Sequence, residues 1–285
     1  MLTKNLALVS QVEGHDHSDV ARVAAALQRQ ATRDFNPIWQ VHATVDAFPR
    51  LEDVPAGYWP MIVETDIDTP GASGVHEDKN GQPFALIAMS DSWSLTASHE
   101  MLEMLADPFG KRVVAGKSPK RGQGRVEFLV EVCDACEADQ FAYTVNDILV
   151  SDFYTPHFFE PKPIDGLRYS FTGAVKGPRQ ILPGGYISWH DPVSDHWWQQ
   201  TWFGPRRAYR NLGAFDASAG SIRAWVDAQT EHPGIDKGLA RSAPALKAAV
   251  AVGNETTQSA VAKAAGWRTQ IASIKAAHGQ RQRVG

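Results

Sequence analysis

Residues Ser92–Pro108 read SWSLTASHEMLEMLADP. Leu95, Leu102 and Leu105, with Met101 and Met104, recur at helical spacing, and Ser92 or Ser94 can cap the start. Asp107-Pro108 ends the helix, because proline pushes the residue before it out of the α region. Inside it lies a His-Glu-x-x-Glu run, His99 to Glu103. Side chains four apart project from one helix face, so His99 and Glu103 can bind a single ion. Glu100 stands beside that face, where it can take a proton from water activated at the ion. The same run would also suit a solvated helix face.

Working outward, residues 5–12 (NLALVSQV) alternate as a strand, and Asp19–Arg33 has the apolar spacing of a helix that Asn36-Pro37 should stop. Ile38–Phe48 and Trp59–Thr65 read as two further strands. Residues 66–82 are polar and carry Gly, Pro and Asn, which suggests a loop; Pro83–Met89 (PFALIAM) is a short apolar strand directly before the helix. Downstream, 110–125 reads as loop, and Val126–Val132, Phe141–Val145 and Ile148–Val150 read as short strands. Residues 155–215 are rich in Pro, Gly and aromatics, and irregular structure with short strands is expected. The stretch 216–285 is Ala-rich, helical and, from Asp236 onward, mildly basic, with breaks near His232-Pro233-Gly234, Pro244 and Gly253. The expected fold class is α+β: a domain over 1–215 with a helical C-terminal region over 216–285.

The strand before the helix, and the order strand, helix, strand, strand, strand, helix over about residues 5–150, resemble the upper part of zincin-like metallopeptidases. In that family the helix carries H-E-x-x-H, so Glu103 stands where the signature has its second His. The resemblance implies a mixed sheet beside an active-site helix, Zn²⁺ as cofactor, and a peptide or protein substrate paired with the edge strand, here read as Phe84–Met89. A His-plus-carboxylate donor set also suits other divalent ions such as Mn²⁺, Fe²⁺ or Ca²⁺.

Two side chains hold a metal poorly, so a third ligand is needed. Residues 131–137 (EVCDACE) are the most acidic downstream cluster. Glu131 lies at a separation from Glu103 similar to that of the downstream Glu ligand in the gluzincin branch, and Asp134 competes with it. Cys133 and Cys136 form a lone C-x-x-C without a second pair for a structural zinc site, and their acidic flanks disfavour thiolates. Tyr186, His190 and His196 lie in an aromatic segment with Trp189, Trp197, Trp198 and Trp202; Tyr186 or His190 could polarise a substrate carbonyl. Asp152, Tyr154 and His157 form a weaker group, and His15-Asp16-His17 suits a helix cap better than a metal.

Other classes are disfavoured. Neither a G-x-S-x-G elbow nor a phosphate loop of the G-x-x-x-x-G-K-[ST] or G-x-G-x-x-G type occurs. With 28 Lys+Arg against 32 Asp+Glu, no overall basic field points to nucleic acid. No run approaches the length of a membrane-spanning helix, and the N-terminus lacks an export-signal pattern, so a cytoplasmic location is expected. The function expected is metal-dependent hydrolysis, most readily of a peptide bond, with Glu100 as general base. The alternative is an inactive zincin-like structural or binding module with a stabilising metal.

Overall fold

Three strands carry an unbroken apolar run through their centres: β1 (Lys4–Ser10), β3 (Tyr58–Glu64) and β5 (Gln82–Ala88). That pattern belongs to strands buried on both faces. In the computed structural model, which describes residues 2–67 and 72–230, they form the middle of a five-stranded sheet. Its order is β2 (Ala43–Phe48), β1, β3, β5, β4 (Gly74–Lys79). β1 runs parallel to β2 and β3, β3 runs parallel to β5, and β4 alone is antiparallel. Leu6, Leu8, Met61, Val63, Ala85 and Ile87 face the main core. Their neighbours Val9, Ile62, Phe84 and Leu86 face a smaller one closed by Leu51 and Ile67.

Two expectations are corrected in this sheet. The stretch 66–82 is not all loop: 74–79 forms β4, joined to β5 through Asn80-Gly81, whose φ of 55° and 78° suit a two-residue hairpin turn. Phe84–Met89 is therefore not an edge, because β5 lies between β3 and β4, and β4 takes that place. Asn36-Pro37 also does not stop the first helix. Helix α1 (His17–Arg29), capped by the Asp16 carboxylate on the Ser18 amide, runs through a wider π turn into α2 (Asn36–Trp39). Proline in the first turn of α2 leaves no needed N–H missing. The chain turns at Gln40 (φ 57°), so β2 begins only at Ala43.

The second sheet is antiparallel, in the order β12 (Ala208–Gly213), β11 (His196–Thr201), β10 (Tyr186–Asp191), β7 (Arg125–Leu129), β6 (Val113–Lys117). Its strands β10, β11 and β12 are the short strands expected within 155–215, whereas β6 falls in the expected loop at 110–125. A small hairpin of β8 (Tyr143–Val145) and β9 (Ile148–Val150) packs against α1 and α3.

Helix α3 (Trp93–Ala106) is enclosed between these layers, and eleven of its residues are buried, including Ser98, Glu100 and Glu103. It is not a solvated face. One core cluster runs continuously from Leu6 to Trp189 across both sheets. Ser98 fixes α3 laterally: its hydroxyl donates to Gln30 Oε1 at 2.8 Å and accepts from the Ser151 amide at 2.9 Å. At the C-terminal end, Arg112 Nη1 donates to the Ala106 carbonyl at 2.8 Å, and the Asp107 carboxylate accepts from the Arg112 amide. Helix α4 (Ile222–Gln229), the described part of the expected helical region, packs Trp225 and Val226 on Leu129 and Trp197. The rest of that region, 231–285, lies outside the described residues. Among the described residues no helix is long and apolar enough to cross a membrane.

Candidate metal centre

His99 Nε2 lies 3.2 Å from Glu103 Oε2, one helical turn away, and 3.4 Å from Asp134 Oδ1. Asp134 belongs to the turn Asp134–Cys136, which follows β7 and folds back along α3. Glu103 anchors that turn, since its Oε1 accepts from the Cys133 amide at 3.1 Å. The ligand atoms of Glu103, Glu131 and Asp134 lie within 4.8 Å of one another. All four residues chosen from the sequence as ligands therefore meet at one place on α3.

Two residues not singled out in the sequence meet them there. Arg223 of α4, 4% exposed, donates from Nη1 to Glu103 Oε2 at 2.6 Å and to Glu131 Oε2. Its Nη2 lies 3.6 Å from Glu100 Oε2, and its Nε lies 3.2 Å from Asp227 Oδ2. His76 of β4, 1% exposed, places Nε2 3.2 Å from the Asp107 carbonyl. The same Nε2 lies 3.5 Å from Arg223 Nη1, while Nδ1 faces Glu100 Oε2 at 3.4 Å and Glu103 Oε2 at 3.8 Å. Among the described residues, neither His76 Nδ1 nor Glu100 Oε2 has a hydrogen-bond partner, and Glu131 Oε1 is also without one. The sequence signal for His76 was Asn80-Gly81, which marks GVHEDK as one arm of a hairpin; Arg223 left no signal in its own helix.

The electrostatics reveal an excess of negative charge. Burial alone would lower the His99 imidazole, but the Glu103 charge and the bonds to Asp134 and Glu103 hold it well above its ordinary value. Burial would raise Glu103, yet the charges of His99 and Arg223 overcome it and hold the carboxyl well below the usual range. The other acids lose that contest. Burial, with the Glu103 charge added, pushes Asp134 up to about 7. Burial also pushes Glu131 well up against the pull of Arg223, and does the same to Glu137 with the Asp134 charge added. Arg223 and His99 cannot balance every carboxylate at once.

The remaining candidates fall at varying distances from this cluster. Tyr186 opens β10 beside the Asp134 turn: a Cβ on the preceding Gly185 would meet the Asp134 and Ala135 carbonyl oxygens at 2.6 and 2.7 Å. Burial and then the Asp134 charge push the Tyr186 phenol well up. His190 is not brought to the cluster; its ring nitrogens lie 3.1 Å from Glu127 Oε2 and 3.0 Å from Asp195 Oδ1, and it stands four residues along β10 from Tyr186, a rise of about 13 Å. His196 faces Asn211. Asp152 serves its own loop, accepting from the Phe153 and Thr172 amides, while His157 is exposed beside Glu160. His15 packs edge-on against Trp93 and Asp16 caps α1, so both serve the fold. Cys133 and Cys136 are buried and unbridged, with their thiols pushed well up by burial.

The donors fit a divalent cation. In a tetrahedral site with ligands at about 2.1 Å, neighbouring donor atoms stand about 3.4 Å apart, and the His99 distances to Glu103 and Asp134 match that spacing. One imidazole with several carboxylates suits Zn²⁺, Mn²⁺ or Fe²⁺. No family model matches this chain, nor does any curated protein or solved structure.

Proposed function

We propose that the protein is a metal-dependent hydrolase of zincin-like design whose substrate is a peptide. The observation that carries the reading is the approach of Glu103 Oε2 and Asp134 Oδ1 to His99 Nε2 at 3.2 and 3.4 Å, with Glu103, Asp134 and Glu131 grouped beside it in a buried carboxylate cluster. His99 and Glu103 would hold the ion with Asp134, whose Oδ1 faces His99, as the third ligand; Glu131 has no such approach to His99, and Arg223 bonds it as it bonds Glu103. When bound, the ion would polarise the scissile carbonyl and activate water for attack.

The chain's own groups are placed for the rest of the chemistry. Glu100, adjacent to His99 and 3% exposed, would take the proton and pass it to the leaving amine. It is pressed under β4, the antiparallel edge. Among the described strands β4 pairs only with β5, so its outer backbone groups could add an extended peptide as a further strand. Strand order, the lone antiparallel edge and the helix that follows it support the zincin-like reading. Tyr186, which opens β10 beside the Asp134 turn, would polarise the carbonyl.

A second reading, an inactive module, is favoured by one observation: Arg223 already supplies a cation to Glu103 and Glu131. The two readings separate on Glu100 and the ion. Titration with Zn²⁺ should load one ion on the wild type and on E100Q and none on H99A, while E100Q alone loses peptide hydrolysis with the ion retained. Loading of the wild type without hydrolysis across a peptide library would favour the module. A wild-type chain that takes up no ion at millimolar Zn²⁺ would sink the enzyme reading.

A further inference from the structure

We propose that Arg223 is a built-in cation that closes the metal centre, so that its guanidinium and a divalent ion compete for the same carboxylate oxygens. The inference rests on the metal-centre reading above and adds its regulation.

The competition is written in one atom. Glu103 Oε2 faces His99 Nε2 at 3.2 Å, as a shared ligand would, and the same oxygen accepts from Arg223 Nη1 at 2.6 Å. Nη1 also holds Glu131, and Nη2 stands 3.6 Å from Glu100. A guanidinium and a divalent ion on one carboxylate oxygen repel across a few ångströms of buried, low-dielectric space. Entry of the ion therefore favours an arrangement in which Arg223 is withdrawn.

The element that carries Arg223 is suited to withdrawal. Helix α4 has only eight residues, too few for stability of its own, and depends on its packing. Among the described residues it is held by Trp225 and Val226 on Leu129 and Trp197, by the Ser221 cap on the Ala224 amide, by one backbone bond from the Arg223 amide to the Gly110 carbonyl at 2.9 Å, and at its C-terminal end by Gln199 Nε2 donating to Thr230 Oγ1 at 2.8 Å. Gly110 has φ 59°, and a Cβ there would stand 2.9 Å from Arg223 Cβ, so the approach is tight but local. Asp227, one turn along the same helix, lies 3.2 Å from Arg223 Nε. It moves with the guanidinium and would accompany it out of the cluster, leaving the charge paired in either position.

The experiment measures Zn²⁺ affinity of the full chain by competition with a chromophoric chelator, in the wild type, R223A and R223A/H99A. Hydrogen exchange of residues 221–230 in the wild type, with and without saturating Zn²⁺, provides a second measurement. R223A should bind Zn²⁺ at least about tenfold more tightly than the wild type, since it no longer displaces an internal competitor. Adding H99A should remove that binding, and amides of α4 should exchange faster once Zn²⁺ is bound. Equal affinity of wild type and R223A overturns the competition while leaving the metal centre standing. If R223A does not fold, the exchange measurement decides: unchanged protection of α4 with Zn²⁺ bound overturns the proposal. Failure of every folded form to bind Zn²⁺ overturns both this inference and the reading it rests on.

Discussion

Gly74→Ala measures how closely β4 is laid over α3. A Cβ built on Gly74 comes within 2.6 Å of Thr96 Cγ2, 2.7 Å of Glu100 Oε1 and 2.8 Å of Glu100 Cγ. All three separations are shorter than real Cβ contacts, so something must shift. Thr96 and Glu100 lie one turn apart on a helix whose other sides are packed, and β4 is hydrogen-bonded to β5 along its length. Neither side yields freely. Overpacking of this kind costs about 1–3 kcal/mol. In a domain of this size each kcal/mol moves the melting midpoint by about 2–4 °C, so G74A should melt about 4–8 °C below the wild type at a cost of about 2 kcal/mol. Gly124→Ala is the control, because nothing lies within 4 Å of its Cβ and its φ is not positive. Thr96→Ser removes the nearest obstructing methyl, so G74A/T96S should recover part of the loss and depart from additivity by about 0.5 kcal/mol or more. Thermal unfolding followed by circular dichroism in chelator reads all four variants. Equal midpoints for G74A and G124A would refute the close packing of edge strand on helix, and with it the positioning of Glu100.

Ser98→Ala removes a hydroxyl that satisfies both Gln30 Oε1 and the Ser151 amide. The cost should be about 2–4 kcal/mol, seen as a lower denaturant midpoint with an unchanged slope; a midpoint like the wild type would mean that the network does not hold α3. In the metal-stripped protein, Asp134 at about 7 stands above its ordinary 3.8, so the folded chain binds that proton more tightly than the unfolded one. Stability should therefore fall as pH rises from about 4 to about 7, and Asp134→Asn should flatten that fall in melting midpoints taken across the range; an unchanged slope in D134N would refute the assignment.

The readable parts of the sequence were those in which a local rule and the fold agree. Leucine spacing and Asp107-Pro108 define α3, and the i, i+4 spacing puts His99 and Glu103 on one face before any tertiary contact is known. The acidic run 131–137 was found by composition, and the turn after β7 does bring Asp134 and Glu131 to that face. What escaped is what depends on partners. GVHEDK is polar enough to pass for loop, and only Asn80-Gly81 marks it as one arm of a hairpin; missing β4 misplaced the edge and hid His76. Pro37 looked like a helix stop because its position within a new first turn is a matter of tertiary path. Arg223 is the clearest case. Its partners lie 92 and 120 residues away, on Glu131 and Glu103, and nothing in its own helix reveals that the side chain points inward.

The burial of α3 also alters the weight of its polar residues. On a solvated helix His99, Glu100 and Glu103 would be interchangeable with other surface groups and nearly neutral in stability. Here Glu103 is 0% exposed and Glu100 3% exposed, between two sheets. Buried ionic groups are costly to desolvate, and well-packed apolar residues of similar volume often serve stability as well or better. Stability alone is therefore a weak account of a cluster that, among the described residues, leaves Glu131 Oε1, Glu100 Oε2 and His76 Nδ1 without hydrogen bonds and drives Asp134 up to about 7. Of these, the Asp134 charge is what an ion held by His99, Glu103 and Asp134 would engage directly. The pairing of Glu103 with both His99 and Arg223 shows how the fold holds the excess in check without one.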